Sequence, residues 1–224
     1  MTAASAPGLL FDLDGTLVET DPTHLGAFKD ILAPYGVEVD EHVYNTHIIG
    51  NPNADIFMTL LPRLTPADHR RLADEKEALF RSRAGGLKPA EGLIDLLDRA
   101  DASGVGTVVV TNAPRANAVM MLDVLGIADR FRALVIGDEM ERPKPHPDPY
   151  LRGLSLLGAA AGRSLAFEDS RSGVRAAAAA ELPVVGITSS LAGSALREAG
   201  ATMVARDFTD PALLAMAREL TGLR

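Results

Sequence analysis

Apolar residues recur along this chain in two rhythms, and the change from one to the other predicts its layout. Leu9, Leu10 and Phe11 form a short buried-type run that ends in Asp12-Leu13-Asp14-Gly15-Thr16, as a strand entering a polar turn would. The spacing then turns helical. Phe28, Ile31, Leu32 and Tyr35 fall at i, i+3, i+4 and i+7, with Gly36 as a stop, and residues 54–80 are again helix-like. Thr65-Pro66-Ala67-Asp68 opens the second half of that stretch, with Thr65 as N-cap and Pro66 in the first turn. No strand pattern occurs between Val18 and Gly85, so this part reads as an all-helical insertion. Arg83 to Pro89, with Gly85 and Gly86, reads as its return linker.

From there strands and helices alternate. Leu93, Leu96, Leu97 and Ala100 mark a helix, and Gly106–Thr111 a fully buried strand. Ala118, Met121, Leu122 and Leu125 mark a helix closed by Gly126, and 133–137 a third strand. Prolines at 143, 145, 147 and 149 then forbid regular structure until a helix carrying Leu154 and Leu157. Residues 164–167 and 183–188 read as strands around an alanine-rich helix, 203–205 as a last short strand and 212–220 as a closing helix. This alternation predicts an α/β chain with a doubly wound parallel sheet. The expected division is a core of 1–19 and 87–224 and a helical insertion of 20–86.

Functional groups in such sheets collect beyond the carboxyl ends of the strands. Those ends carry Asp12 and Asp14, Thr111 and Asn112, Lys144 after the third strand, and Glu168-Asp169. If extended geometry persists past Phe11, Asp12 and Asp14 point the same way, and two like charges so placed call for a bound cation. Four carboxylates and a lysine suit a hard cation and an anionic substrate, phosphate above all. No Walker loop or G-x-G-x-x-G occurs to cradle a nucleotide.

Composition narrows the classes. A formal charge of −8 without a basic stripe argues against a nucleic-acid partner. The absence of cysteine excludes disulfides and thiolate metal sites and fits a cytoplasmic enzyme, and the five histidines show no metal-ligand spacing. No apolar run approaches the roughly 20 residues of a membrane span. The leader Met1–Gly8 is neither basic nor apolar enough for a secretory signal and reads as a frayed tail, and a monomer is the default expectation.

The order and types of these groups resemble the haloacid dehalogenase superfamily over nearly the whole chain. Asp12-Leu13-Asp14-Gly15-Thr16 matches its first motif, Thr111 the second, Lys144 with Pro145 the third and Glu168-Asp169 the fourth. The helical insertion after the first motif, together with Glu168-Asp169-Ser170 and Gly173, resembles the phosphoglycolate phosphatase and beta-phosphoglucomutase-like branch. That branch has a Rossmann-like core and an alpha-helical cap.

The resemblance implies a Mg²⁺-dependent phosphatase acting on a small phosphomonoester, a sugar phosphate being one candidate. Asp12 would be the nucleophile that forms an aspartyl-phosphate, and Asp14 the acid that protonates the leaving oxygen and then activates water. Asp12, the Asp14 carbonyl oxygen and Asp169 would hold the metal, with Glu168 beside it or bound through water. Thr111 and Asn112 would grip the phosphoryl oxygens, and Lys144 would neutralise the cluster of negative charge. The presence of Asp14 argues for phosphate esters, because carbon–halogen dehalogenases lack its equivalent.

His24 falls where the mutases carry a hinge histidine, although it also opens an amphipathic helix. Counting from Gly50, Asn53 stands where the mutases place an arginine on the distal phosphate, which weakens the mutase reading. Lys76 matches a cap lysine of the branch, yet its acidic neighbours read more simply as an exposed helix surface. The alternatives are a phosphohexose mutase and a non-catalytic binding protein on the same scaffold.

Overall fold

A computed structural model describes residues 6–49 and 51–224. Strand β1 (Ala6–Phe11) begins inside the stretch expected to fray: Ala6 to Gly8 pair with the sheet, and only residues 1–5 of that leader lie outside the description. Gly50, the reference point for Asn53, also lies outside it.

Four helices follow: α1 (Asp21–Leu32), α2 (Glu41–Val43), α3 (Asn53–Leu60) and α4 (Pro66–Arg83). A 3₁₀ turn at Ala33–Tyr35 extends α1 and ends at Gly36, whose φ of 73° suits a residue without Cβ. Helix α2 runs on into a π-helical turn over Tyr44–Ile48. The expected start of α4 is present as a full capping box: Thr65 Oγ1 accepts from Asp68 N at 3.2 Å, and Asp68 Oδ2 accepts from Thr65 N at 3.2 Å.

The remainder is α5 (Leu93–Ser103), β2 (Gly106–Thr111), α6 (Arg115–Val124), β3 (Ala133–Ile136), α7 (Asp148–Leu157), β4 (Ala159–Glu168), α8 (Arg171–Ala179), β5 (Val184–Ile187), α9 (Gly193–Ala199), β6 (Met203–Ala205) and α10 (Pro211–Thr221). The chain divides into two compact units, residues 1–19 with 88–224 and residues 20–87.

In the first unit all six strands pair in parallel, in the order β3-β2-β1-β4-β5-β6. The order reverses between β1 and β4, which opens a crevice beyond their carboxyl ends. The pleat explains the two apolar layers. Leu10 and Ala166 are register partners in the core that includes Tyr150, Leu154 and Val174. Their neighbours Phe11 and Phe167, also partners, stack with ring centroids 4.7 Å apart, and Phe208 meets Phe167 edge-on at 5.3 Å. Strand β4 is longer than the apolar run predicts. It starts at Ala159, where a register shift against β1 admits the half-exposed residues before Ser164.

The second unit is helical and has its own core of Phe28, Leu32, Tyr44, Ile48, Ile56, Phe57 and Leu72. Among its described residues there is no strand.

Candidate active site

The sheet places Asp12 one residue beyond β1, Glu168 at the end of β4 and Asp169 just after it, on either side of the crevice. Asp12 N still donates to Phe167 O at 2.9 Å, so its backbone continues the ladder. Beyond it the chain turns: Gly15 N donates to Val18 O at 2.8 Å and Leu17 N to Leu13 O at 2.8 Å. Regular extended backbone therefore gives way to this turn beyond Asp12, and it is the turn that carries Asp14. The carboxylates actually gathered are those of Asp12, Glu168 and Asp169, with ligand oxygens all within 4.8 Å of one another. Asp14 is half-buried beside them, and its charge acts on Asp12.

Gly15 makes the turn possible. Its φ is 74°, and a Cβ there would stand 2.1 Å from Asp169 Oδ2. Only a glycine lets the two loops approach this closely.

Lys144 reaches this cluster from the proline-bounded loop after β3. The residue is 6% exposed, and its ammonium gives one hydrogen each to Asp12 Oδ1 (2.6 Å), Glu168 Oε1 (2.6 Å) and Val110 O (2.7 Å). All three donors are used. Burial opposes the charge on Lys144, but the Asp12 and Glu168 carboxylates hold it above the usual lysine range. Burial pushes Asp12 up to about 8 against the pull of Lys144, with Glu168 and Asp14 adding to the rise.

Glu168 is fully buried and each of its oxygens has two protein donors. Oε1 accepts from Lys144 and from Tyr150 Oη at 2.8 Å; Oε2 accepts from Ser170 N at 3.2 Å and Ser170 Oγ at 3.0 Å. Ser170 also caps α8 by accepting from Gly173 N at 3.0 Å. A Cβ at Gly173 would fall 1.7 Å from Glu168 Oε1. Gly173→Ala is therefore expected to destabilise the protein by about 2 kcal/mol, because overpacking against a pinned carboxylate outweighs the gain in helix propensity. A denaturant titration checks this; an alanine variant as stable as the parent would mean that Glu168 can move away.

Thr111 and Asn112 lie at the end of β2. Thr111 Oγ1 accepts from Ala113 N at 3.0 Å, a local turn rather than a helix cap, because Pro114 is the N-cap of α6. Asn112 is exposed and donates through Nδ2 to Lys144 O at 3.3 Å, tying β2 to the lysine loop. Tyr150 is the member of this cluster that sequence reasoning missed. A signal existed: it lies at i−4 and i−7 from Leu154 and Leu157, on the buried stripe of α7.

His24, Asn53 and Lys76 belong to the second unit, where they form a polar cluster of their own. Lys76 Nζ lies 2.8 Å from His24 Nδ1 and 2.8 Å from Glu77 Oε1, and Asn53 Nδ2 donates to the same Glu77 oxygen at 2.5 Å. The His24 ring stacks on Phe80 at 4.0 Å, and Lys76 Nζ stands 4.7 Å from the Phe28 ring centroid. Lys76 is 3% exposed, so its reading as an exposed surface lysine is wrong. Charges along its own helix suggested solvent, but His69, Leu72, Lys76 and Phe80 share the buried stripe of α4, and α1 and α3 bring the partners.

The acidic cluster fits a hard divalent cation. It offers three buried carboxylates against one ammonium, and without a cation Asp12 holds its proton up to about pH 8. Oxygen donors without a sulfur or imidazole suit Mg²⁺ or a similar ion.

The sequence pattern of the haloacid dehalogenase-like hydrolases matches residues 9–187. This chain belongs to that family. It is 30% identical over 205 residues to a phosphorylated carbohydrates phosphatase from Thermotoga maritima, covering 88% of this chain and 93% of that one. A phosphoglycolate phosphatase from Salmonella choleraesuis is 35% identical over 208 residues, with 81% of each chain covered. Among solved structures, CbbY from Rhodobacter sphaeroides in complex with phosphate superposes with a TM-score of 0.77 at 26% identity, covering 92% of this chain and 96% of that one. The expected fold class and the expected enzyme class, a phosphatase of this family, both stand.

Proposed function

We propose that this hydrolase cleaves a small phosphomonoester through a covalent phosphoryl group on Asp12. The observation that carries the reading is the Asp12 carboxylate, set at the sheet's switch point, held by Lys144 and grouped with Glu168 and Asp169. Asp12 attacks phosphorus, a new O–P bond forms and the ester P–O bond breaks. Asp14 gives its proton to the departing alkoxide. It then takes a proton from the water that attacks the aspartyl-phosphate, and inorganic phosphate leaves.

Lys144 stays charged throughout and offsets negative charge that builds at Asp12 and the transferring group. Thr111, whose hydroxyl accepts from Ala113 N, has a hydrogen to give to a phosphoryl oxygen, and the exposed Asn112 amide stands beside it. Asp12, Asp169 and the Asp14 carbonyl would hold Mg²⁺, with Glu168 adjoining. When bound, the ion neutralises the carboxylates and the phosphoryl oxygens.

Relatives named for phosphorylated carbohydrates, fructose 1-phosphate and phosphoglycolate make sugar phosphates and phosphoglycolate the substrates to try first. In the helical unit His24 and Asn53 are the candidate substrate contacts. The same reading takes the enzyme as a cytoplasmic monomer acting on a dissolved ester. No described helix is long and apolar enough to cross a membrane.

Phosphate release from p-nitrophenyl phosphate and from a panel of these esters, with Mg²⁺ or EDTA, tests the proposal. Release that requires the metal and falls to background in EDTA is the expected result. A folded protein that releases phosphate from none of them overturns it. Interconversion of glucose 1-phosphate and 6-phosphate with a bisphosphate primer would then favour a mutase, and inertness there too a binding protein.

A further inference from the structure

Tyr150 is fully buried on α7, in the core that includes Leu10, Val108 and Val110. A phenylalanine would fill that space equally well. The hydroxyl is the costly part, because a buried tyrosine oxygen needs a partner. Its partner is Glu168 Oε1 at 2.8 Å, the same oxygen that takes a hydrogen from Lys144 at 2.6 Å. The Tyr150 ring also lies 5.3 Å from Lys144 Nζ, within cation–π range. One side chain thus touches both partners of a buried ion pair whose ammonium is shared with Asp12.

The geometry has a consequence for that sharing. Lys144 has three hydrogens and three acceptors, so Asp12 and Glu168 compete for how closely the ammonium approaches each. A carboxylate oxygen with a second donor draws less strongly on the first. Without the tyrosine hydroxyl, Oε1 would depend on Lys144 alone, and the ammonium would shift from Asp12 toward Glu168.

We propose that Tyr150 is a positioning residue for the phosphoryl-transfer site, its hydroxyl on Glu168 and its ring beside Lys144 setting where the ammonium and the Glu168 carboxylate stand relative to Asp12. It acts through these two groups rather than on the substrate. The inference rests on the phosphatase reading above, and its test separates the two.

Tyr150→Phe keeps the ring and deletes the hydroxyl. Steady-state kinetics on the best ester of the panel, Mg²⁺ binding by calorimetry on the full chain and thermal unfolding are compared with the parent. The expected result is a kcat lower by about tenfold with KM within about twofold, and Mg²⁺ binding weakened severalfold, as for other groups that orient metal-holding side chains. A purely structural tyrosine would lower the melting temperature and leave both quantities unchanged for the folded protein. Parent-like kcat and Mg²⁺ affinity, or a raised KM with kcat retained, overturns the proposal. If the parent turns over no ester, the phosphatase reading fails by itself. The Mg²⁺ titrations still decide on Tyr150, since equal affinities in the two proteins would reject its positioning role.

Discussion

Asp12→Asn is expected to abolish turnover and, at the same time, to make the metal-free protein more stable at alkaline pH. An amide cannot serve as the nucleophile, so phosphate release should drop by at least about 10³-fold. The stability effect has the opposite sign and a separate cause. Burial lifts the Asp12 carboxyl from 3.8 to about 8, so the folded state binds that proton more tightly than the unfolded chain does. Its contribution to stability is fully present below pH 3.8, declines as pH rises toward 8 and is gone above that. Asparagine does not titrate and carries no charge to bury. Urea unfolding in EDTA at pH 5, 7 and 9 should show the parent losing stability across this window and the variant losing less. A variant less stable than the parent at pH 9 would mean that the bond to Lys144 outweighs the cost of burying the carboxylate. Mg²⁺ should narrow the gap, because a bound cation stabilises the ionised form that the metal-free fold disfavours.

Lys144→Met should damage both folding and catalysis. Methionine approximates the volume but leaves Asp12 and Glu168 facing each other with no cation between them, and Val110 O without its donor. Removing one member of a buried ion pair costs about 3–5 kcal/mol at neutral pH. Loss of the charge that stabilises the transferring group should lower kcat by about 10²–10³-fold. The pH dependence identifies the cause: with the ammonium gone, Asp12 holds its proton still more tightly than at about 8, so relative to the parent the variant should lose further stability as pH rises from 7 to 9. Circular dichroism melts at both pH values, with kinetics at saturating Mg²⁺, measure the two effects. A variant equally destabilised relative to the parent at pH 7 and pH 9 would point to lost packing instead of unpaired carboxylates.

Much of the first unit was legible because its strands are buried on both faces and so appear as unbroken apolar runs. Residues 106–111 were placed to the residue, and the stripe of Leu93, Leu96, Leu97 and Ala100 located α5. The Thr65 capping box was readable because its bonds span three residues. Helix α9 was not, since only Leu196 of its seven residues is buried and no periodicity announces it. The early start of β4 was hidden for a similar reason: Ala159 pairs with Ala6, residues 160–163 lie in the register shift that follows, and the stretch buries little side chain.

The site followed the same division. Placing reactive groups at strand ends depends on element order, so Asp12, Thr111, Lys144 and Glu168-Asp169 could be nominated from the chain alone. The extended geometry on which the period-2 argument for Asp12 and Asp14 was conditional stops short of Asp14, because whether a strand continues depends on pairing, and Gly15 and Leu17 bond back across the turn instead. Asp14 still lies close enough for its charge to act on Asp12. The burial of Lys76 was equally invisible in its own helix, where Asp74 and Glu75 are exposed but Glu77 is buried as its ion-pair partner, while His24 and Asn53 come from other helices.

The sequence by itself determined the alternation of elements, the helical insertion and the chemical types at each strand end, because these depend on residue order and local periodicity. The tertiary structure decided what those types do to one another. Which carboxylates share a cluster, how the three hydrogens of Lys144 are divided, why Asp12 holds its proton to about pH 8 and why Tyr150 belongs to the site all depend on distances between residues far apart in the chain. Electrostatic and hydrogen-bond energies are set by those separations and by the exclusion of water around them, and neither is encoded in any local stretch.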